Sequence, residues 1–99
     1  MRERRSTRRI TVNQTVTVNM EGTSLRTTLI DISIDGALLV INPEDVGQVN
    51  DSDLGREVVF RLRIKKQVRL YTGEVIRFFY KDDNLHLALR FWQKPVRAD

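Results

Sequence analysis

Hydrophobic and polar residues alternate along most of this chain, and the alternation starts at Ile10. Up to Met20, one set of alternate positions is mainly apolar and the other consists of threonine and asparagine; the apolar set is Ile10, Val12, Val16, Val18 and Met20. A period of two with one polar side predicts a half-buried β-strand. Glu21-Gly22-Thr23 follows it and predicts a hairpin turn.

Five further strands are predicted, one of which, the third along the chain, is short and wholly apolar. They run from Leu25 to Ser33, from Ala37 to Ile41, from Val58 to Ile64, from Arg69 to Tyr80 and from Leu85 to Phe91. Turns are predicted at Asp35-Gly36, Lys66-Gln67 and Asp82-Asp83-Asn84. Gly73 predicts a bulge or a close backbone approach. In the last strand, the leucines and Phe91 are predicted to face inward, with His86, Ala88, Arg90 and Trp92 outward.

No segment has helical periodicity, and Asn42 to Gly55 predicts a loop with one helical turn after Pro43. Six short strands of this kind predict an all-β fold, a six-stranded antiparallel β-barrel in which closure removes exposed strand edges. Phe60, Phe78 and Phe91 fall on core positions. We therefore divide the chain into an arginine-rich arm (1–9), a barrel (10–92) and a C-terminal tail (93–99).

The positive charge of this 99-residue chain is concentrated in the arm. Residues 1–9 hold five arginines and one acid, Glu3. Removing them from the 17 basic and 13 acidic residues leaves 12 of each for positions 10–99. Nucleic-acid binders usually spread positive charge along a face that follows the phosphates. Charge confined to a short arm fits a compact anionic ligand at least as well.

The sequence gives little support for a catalytic site or a metal site. The chain has no cysteine and one histidine, His86, which we expect to be solvated rather than catalytic. Asp51 and Asp53 are a weak candidate for a cation site, because the segment lacks the full calcium-loop pattern. No apolar run reaches the roughly 20 residues of a membrane-spanning helix. We expect a non-catalytic, cytoplasmic protein without membrane insertion.

Two short motifs carry the functional prediction. The arm contains Arg4 followed by Arg5-Ser6-Thr7-Arg8-Arg9, an Arg-x-x-x-Arg motif. The end of the second strand contains Asp31-Ile32-Ser33-Ile34-Asp35-Gly36, an Asp-x-Ser-x-x-Gly motif. Taken alone, the arginines suit a solvated terminus, and Asp, Ser and Gly suit an ordinary turn.

Together, in this order, the motifs resemble the PilZ domain family, a family of bacterial cyclic di-GMP receptors. The resemblance extends to three later segments, from Gly36 to Val40, from Gly73 to Arg77 and from Leu87 to Phe91, so it covers about residues 4–92. It implies that the ligand-binding residues are Arg4, Arg5, Arg9, Asp31, Ser33 and Gly36.

The chemistry of cyclic di-GMP suits these side chains. An arginine fork matches guanine O6 and N7, stacks on the base or pairs with a phosphate. Asp31 is expected to accept from guanine N1–H and N2–H, and Ser33 to contact a phosphate or the base amino group. Gly36 is expected to have a positive φ and to let the ligand approach the backbone closely. Because its arginines repel one another, the arm is expected to become ordered on binding.

The resemblance also implies a stoichiometry and partners. An arginine directly before the spaced pair, here Arg4, accompanies two stacked ligand molecules in this family. A ligand stack shared by two chains would promote a homodimer. A downstream protein partner in motility, exopolysaccharide or pilus machinery is expected, without nucleic-acid binding.

Two other interpretations remain open at this stage. A small barrel with a basic arm could bind single-stranded nucleic acid, but such proteins use aromatic stacking platforms, and this chain has few aromatic residues, three of them on predicted core positions. A PilZ-like module that acts only through protein contacts would be expected to have broken motifs. Both motifs are intact here.

Overall fold

β-Strands make up most of the computed structural model, which describes residues 8–99. Within that range the strands are β1 Ile10–Met20, β2 Thr23–Ile32, β3 Gly36–Ile41, β4 Glu57–Ile64, β5 Gln67–Lys81, β6 Asn84–Phe91 and β7 Val96–Arg97. Two short 3-10 helices, Pro43–Gln48 and Asp51–Asp53, lie between β3 and β4. In the described part of the chain, no helix is long and apolar enough to cross a membrane.

The sheet closes on itself through six antiparallel strands. Its order is β4-β1-β2-β3-β6-β5, and β4 also pairs with β5. The β1–β4 pairing is short, with Val18 opposite Phe60, whereas β5 continues from β4 onto β6. The prediction of a six-stranded antiparallel barrel is confirmed. The seventh strand, β7, pairs with β5 at Arg69 and Leu70 and was not predicted.

Alternating side chains from all six barrel strands form one apolar core. Phe60 and Tyr71 stack with ring centroids 5.2 Å apart, and Phe91 packs 5.0 Å from Tyr71. Burying one large apolar side chain stabilises a fold by about 1.5–3 kcal/mol. Phe60 is buried, and Phe78 and Phe91 pack against the core while partly exposed. Their predicted core positions are confirmed.

Two-residue turns join the β1–β2, β4–β5 and β5–β6 hairpins, and each contains at least one residue with positive φ. Glu21 and Gly22 have φ of 33° and 85°, and Asp82 and Asp83 have φ of 53° and 65°. Such values suit the twist of a tight hairpin and favour Gly, Asn and Asp. The predicted turn locations are confirmed, but Thr23, Gln67 and Asn84 already belong to the following strands.

The start of β1 overturns one core prediction. Ile10 lies opposite the buried Ile32, and directly opposed residues of an antiparallel pair share a face. Ile10 is nevertheless 58% exposed, because it is the first residue of β1 and lies at the end of the strand. The prediction that Ile10 belongs to the core is wrong. The register of β1 shifts farther along, between Thr11 and Gln14, where Asn13 has a φ of 56°.

The segment between β3 and β4 is held by two asparagine caps. The Asn42 side chain accepts from the Glu44 amide, and the Asn50 side chain accepts from the Ser52 amide. Val46 and Val49 pack against the core, so the segment covers part of the barrel. The predicted helical turn after Pro43 is confirmed, and the second turn at Asp51–Asp53 was not predicted.

Candidate functional site

The turn between β2 and β3 is organised by Ser33. Its amide donates to the Gly36 carbonyl at 2.9 Å. Its buried hydroxyl oxygen accepts from the amides of Asp35 and Gly36 at 3.2 and 3.3 Å. Serine is suited to this role because its short hydroxyl can reach backbone groups two and three residues ahead. Ser33 therefore fixes the path of the chain just after Asp31.

Gly36 is required by a neighbouring strand. It pairs with Arg90 of β6, and a Cβ added to it would lie 2.1 Å from the Leu89 carbonyl oxygen. Its φ is not positive, unlike that of Gly22 or Gly55, so the predicted positive φ is wrong. The physical reason for glycine here is the close approach of the β6 backbone.

Gly73 of β5 has the same explanation. A Cβ there would lie 2.2 Å from the Arg90 carbonyl oxygen, which confirms a close backbone approach. The bulge that was the alternative prediction for Gly73 occurs between Val75 and Arg77 instead.

Arg9 and Asp31 form an ion pair at the outer surface of the barrel. Arg9 Nη1 donates to Asp31 Oδ1 at 2.6 Å. The Arg9 side chain is 55% exposed and that of Asp31 is 22% exposed. Within residues 8–99, Arg9 is the only side-chain partner of Asp31. Arg4 and Arg5 lie outside the described residues.

A depression of about 350 Å³ opens beside this pair. Strand pairing places Asp31, Leu38, Ala88 and Arg77 next to one another on four successive strands. The small side chain of Ala88 leaves room between Leu38 and Arg77. The depression thus has an acid and a base at opposite ends, with apolar atoms between them.

Arg77 and Phe79 form the far wall of the depression. The Arg77 guanidinium carbon lies 4.5 Å from the centroid of the Phe79 ring, a cation–π distance. The resemblance had placed Arg77 in a matching strand but not in the site. The sequence does not show the register between strands. Arg77 lies beside the depression only because β5 pairs with β6 so that Arg77 is opposite Ala88.

His86 lies behind Phe79 and is covered by it. The two rings stack with centroids 5.0 Å apart and an interplanar angle of 18°. The His86 Nδ1 atom lies 3.0 Å from the Asn84 carbonyl oxygen, and the residue is only 9% exposed. The prediction of a solvated histidine is therefore wrong, because the neighbouring aromatic ring shields the outward-facing imidazole.

A second polar cluster lies beside the motif turn. Trp92 Nε1 donates to Glu74 Oε1 at 2.9 Å, and Arg90 Nη2 donates to the same oxygen at 3.3 Å. These bonds lower the pKa of the Glu74 carboxyl. Trp92 is thus oriented by Glu74, next to the strand that packs on Gly36.

The acidic loop does not assemble a metal site. Asp53 accepts from the Asn50 amide at 3.0 Å and forms an ion pair with Arg56. Across residues 8–99, no three His, Cys, Asp or Glu side chains are grouped to hold a metal ion. The carboxylate of Asp53 is used to cap a helical turn.

The fold and the motif turn define a small antiparallel β-barrel with a polar site at the end of its second strand. The family model of the PilZ domain matches residues 3–99. This chain belongs to the PilZ domain family.

Solved structures share the fold. The Bacillus subtilis inhibitor of motility (MotI/DgrA) superposes with a TM-score of 0.69 at 21% identity, over 93% of this chain and 44% of that chain. The PilZ domain of YcgR from Escherichia coli, solved with c-di-GMP, superposes with a TM-score of 0.66 at 16% identity, over 92% of this chain and 79% of that one. The chain thus spans less than half the length of the Bacillus protein. No curated protein matches it in sequence.

Proposed function

We propose that this PilZ domain is a receptor for cyclic di-GMP. The observation that carries the proposal is the Arg9–Asp31 pair at the rim of an open depression, at the end of β2 in a PilZ barrel. The YcgR domain of the same fold was solved with this ligand. The role is that of a binding module without a catalytic step.

Asp31 has capacity for a ligand. Its Oδ1 atom accepts from Arg9, and within the described chain its Oδ2 atom has no hydrogen-bond donor. A carboxylate oxygen in this position accepts from guanine N1–H or N2–H. Arg9, exposed beside it, can turn to guanine O6 and N7 or to a phosphate. The ion pair therefore brings together, at the edge of the depression, the two groups that we propose for ligand binding.

Arg77 supplies a flat cationic surface for a base. Its guanidinium rests on the Phe79 ring, which restricts the orientation of the side chain. Purine rings stack on guanidinium planes as well as on aromatic rings. We assign one guanine to the depression between Asp31 and Arg77, with the phosphates near the arm.

The remaining motif residues have different roles in this proposal. Arg4 and Arg5 contact phosphate or the outer guanine, and binding orders the arm over the barrel. Arg4 favours a stack of two ligand molecules, which could be shared by two chains. Ser33 and Gly36 contribute by fixing the turn that carries Asp31. The Ser33 hydroxyl would have to give up bonds within the turn to contact the ligand directly.

The bound state is proposed to act on a downstream protein. Motility, exopolysaccharide synthesis and pilus function are the candidate processes. The structural similarity to an inhibitor of motility supports the first of these.

Isothermal titration calorimetry with cyclic di-GMP tests the central proposal. Saturable binding of the cyclic dinucleotide is expected, without binding of GTP or a short single-stranded oligonucleotide. A stoichiometry of two that becomes one in Arg4→Ala would support the stacked pair. No heat with cyclic di-GMP would leave a protein-interaction module, and binding of the oligonucleotide alone would establish a nucleic-acid binder.

Backbone 15N relaxation with and without ligand tests the behaviour of the arm. Order parameters of residues 2–9 are expected to rise on binding. An arm that is equally ordered in both states would contradict the switch while leaving the receptor assignment intact. Sedimentation velocity of the same two samples tests the ligand-linked dimer.

A further inference from the structure

The second half of β5 is paired along one edge only. As far as Glu74, β5 is bonded to β4, and from Gly73 to Lys81 it is bonded to β6. On the β4 side the ladder ends with the bonds between Val75 and residues Gly55 and Arg56. Beyond these bonds, no other backbone in residues 8–99 pairs with the far edge of β5 from residue 76 to residue 81.

A groove of about 440 Å³ runs along this free edge. Three consecutive residues of β5, Phe78, Phe79 and Tyr80, line it. Side chains alternate between the two faces of a strand, so three in a row can border one cavity only at the strand's edge. The other wall comes from the segment between β3 and β4, including Val46, Val49 and Asp51.

An unpaired strand edge beside an apolar groove is suited to an extended peptide. Free N–H and C=O groups give main-chain hydrogen bonds to an added strand. Alternate side chains of such a strand would enter the groove between Val49 and Phe78. Tyr80, which is 67% exposed, would be covered by it.

The charges at the groove indicate what kind of peptide binds. Asp51 lines the groove, and Asp82 and Asp83 form the turn directly after β5. All three are exposed, and none has an ion-pair partner among residues 8–99. The edge segment 76–81 itself carries two bases, Lys81 and Arg77, and the Arg77 guanidinium lies over the Phe79 ring. The three acids therefore outnumber the two bases at the groove.

We propose that this edge of β5 is the docking site for an extended, basic segment of a partner protein. The segment adds as a strand beside residues 76–81, with an apolar side chain at every second position and Lys or Arg between them. This proposal does not depend on binding of cyclic di-GMP.

Selection from a displayed library of random ten-residue peptides tests the proposal on the whole chain. Enriched sequences are expected to alternate apolar and basic residues. A synthetic peptide from the selection should shift the 15N–1H resonances of residues 76–81 and slow their hydrogen exchange. Two versions of this peptide are then methylated on alternate backbone nitrogens, one at the odd positions and one at the even positions. The version whose methyl groups replace the N–H groups facing β5 should no longer bind, and the other version should still bind.

Matched charge variants sharpen the test. Asp51→Asn removes a carboxylate at the groove, and Glu57→Gln removes an exposed carboxylate on β4. The first should weaken the selected peptide about threefold and the second should leave its affinity unchanged. The proposal is overturned if no alternating sequence is enriched, if the shifts lie elsewhere, or if both methylated peptides bind. It is also overturned if the free protein is a dimer with residues 76–81 already protected.

Discussion

Among the arginine–carboxylate pairs of the described residues, Arg26–Asp45 and Arg9–Asp31 differ in how many partners hold the acid. Asp45 is buried and accepts from the Arg26 amide at 2.8 Å, from the Arg26 guanidinium at 3.1 and 3.2 Å, and from Gln48 at 3.1 Å. Asp31, by contrast, has Arg9 as its one side-chain partner among the described residues. The first acid is enclosed by partners on two elements, and the second is partly open to solvent.

The difference separates a carboxylate whose two oxygens are both bonded within the protein from one with an oxygen that the described chain leaves available. Both oxygens of Asp45 are occupied, and the hydrogen bonds from Arg26 lower its pKa. Arg26 and Asp45 together fasten the segment after β3 to β2. The Arg9–Asp31 pair fastens little, because Arg9 precedes the first strand and is largely exposed. An ion pair that contributes little to the fold can open for a ligand.

The largest expected effect is on cyclic di-GMP affinity. Arg9→Ala should weaken binding about 100-fold, since it removes a charge-assisted, two-pronged donor to the ligand. Arg26→Ala removes the same charge and should change the affinity less than about twofold, because Arg26 bonds only to the protein. Titration calorimetry of both variants measures the contrast. Equal losses would mean that general positive charge, and not the site, attracts the ligand.

The next effect concerns thermal stability. Here the Arg26–Asp45 pair is expected to matter more than the Arg9–Asp31 pair. Asp45→Ala leaves the Arg26 amide, its guanidinium and Gln48 without their acceptor, and should lower Tm by about 5–10 °C. Asp31→Ala should change Tm by less than about 2 °C while abolishing cyclic di-GMP binding. Thermal unfolding followed by circular dichroism checks both. If Asp31→Ala unfolds the barrel, its role is structural and the site assignment is wrong.

A smaller effect is expected at the far wall of the depression. Arg77→Ala removes the stacking surface but leaves Asp31 and Arg9 in place, and should weaken cyclic di-GMP about tenfold. Arg61→Ala, an exposed arginine on β4, serves as the matched control and should have no effect. An unchanged affinity in Arg77→Ala would remove this residue from the proposed site.

The smallest effect is the pH dependence of the enclosed pair. The folded-state pKa of Asp45 is lowered below its unfolded value of about 3.9. Its stabilising contribution is therefore complete above that value and is lost as the pH falls through the lower, folded-state pKa. The difference in Tm between the wild type and Asp45→Asn should shrink as the pH falls from 5 to 2. A constant difference across that range would contradict the assigned role of the Asp45 charge.

Local patterning was enough to predict the barrel strands. Alternation, or a short apolar run in the case of β3, identified β1 to β6, and Gly or Asp placed every hairpin turn except the one between β4 and β5, which consists of lysines. The two residues of β7 carry no such pattern, because their strand geometry comes from pairing with Arg69 and Leu70. Ile10 was assigned to the core because its place in the alternation is apolar, but at the first position of β1 it remains exposed.

The candidate site could be predicted only where it follows chain order. Asp31 and Arg9 were proposed from their motifs, and the structure places the two side chains 2.6 Å apart. Arg77, Ala88 and Phe79 come from distant segments, and only the register of β5 on β6 brings them to the depression. The same neighbours determine the burial of His86 and the need for glycine at position 36. Such facts depend on which strands lie side by side.

The close contact between Gly36 and the β6 backbone bears on how the motif would change during evolution. A side chain at this position would collide with the Leu89 carbonyl, whether or not the domain binds a nucleotide. Selection for folding alone should then retain the glycine and the Ser33 turn. In a related domain that no longer binds a ligand, substitutions are therefore expected first at Arg9 and Asp31, because this ion pair contributes little to the stability of the fold.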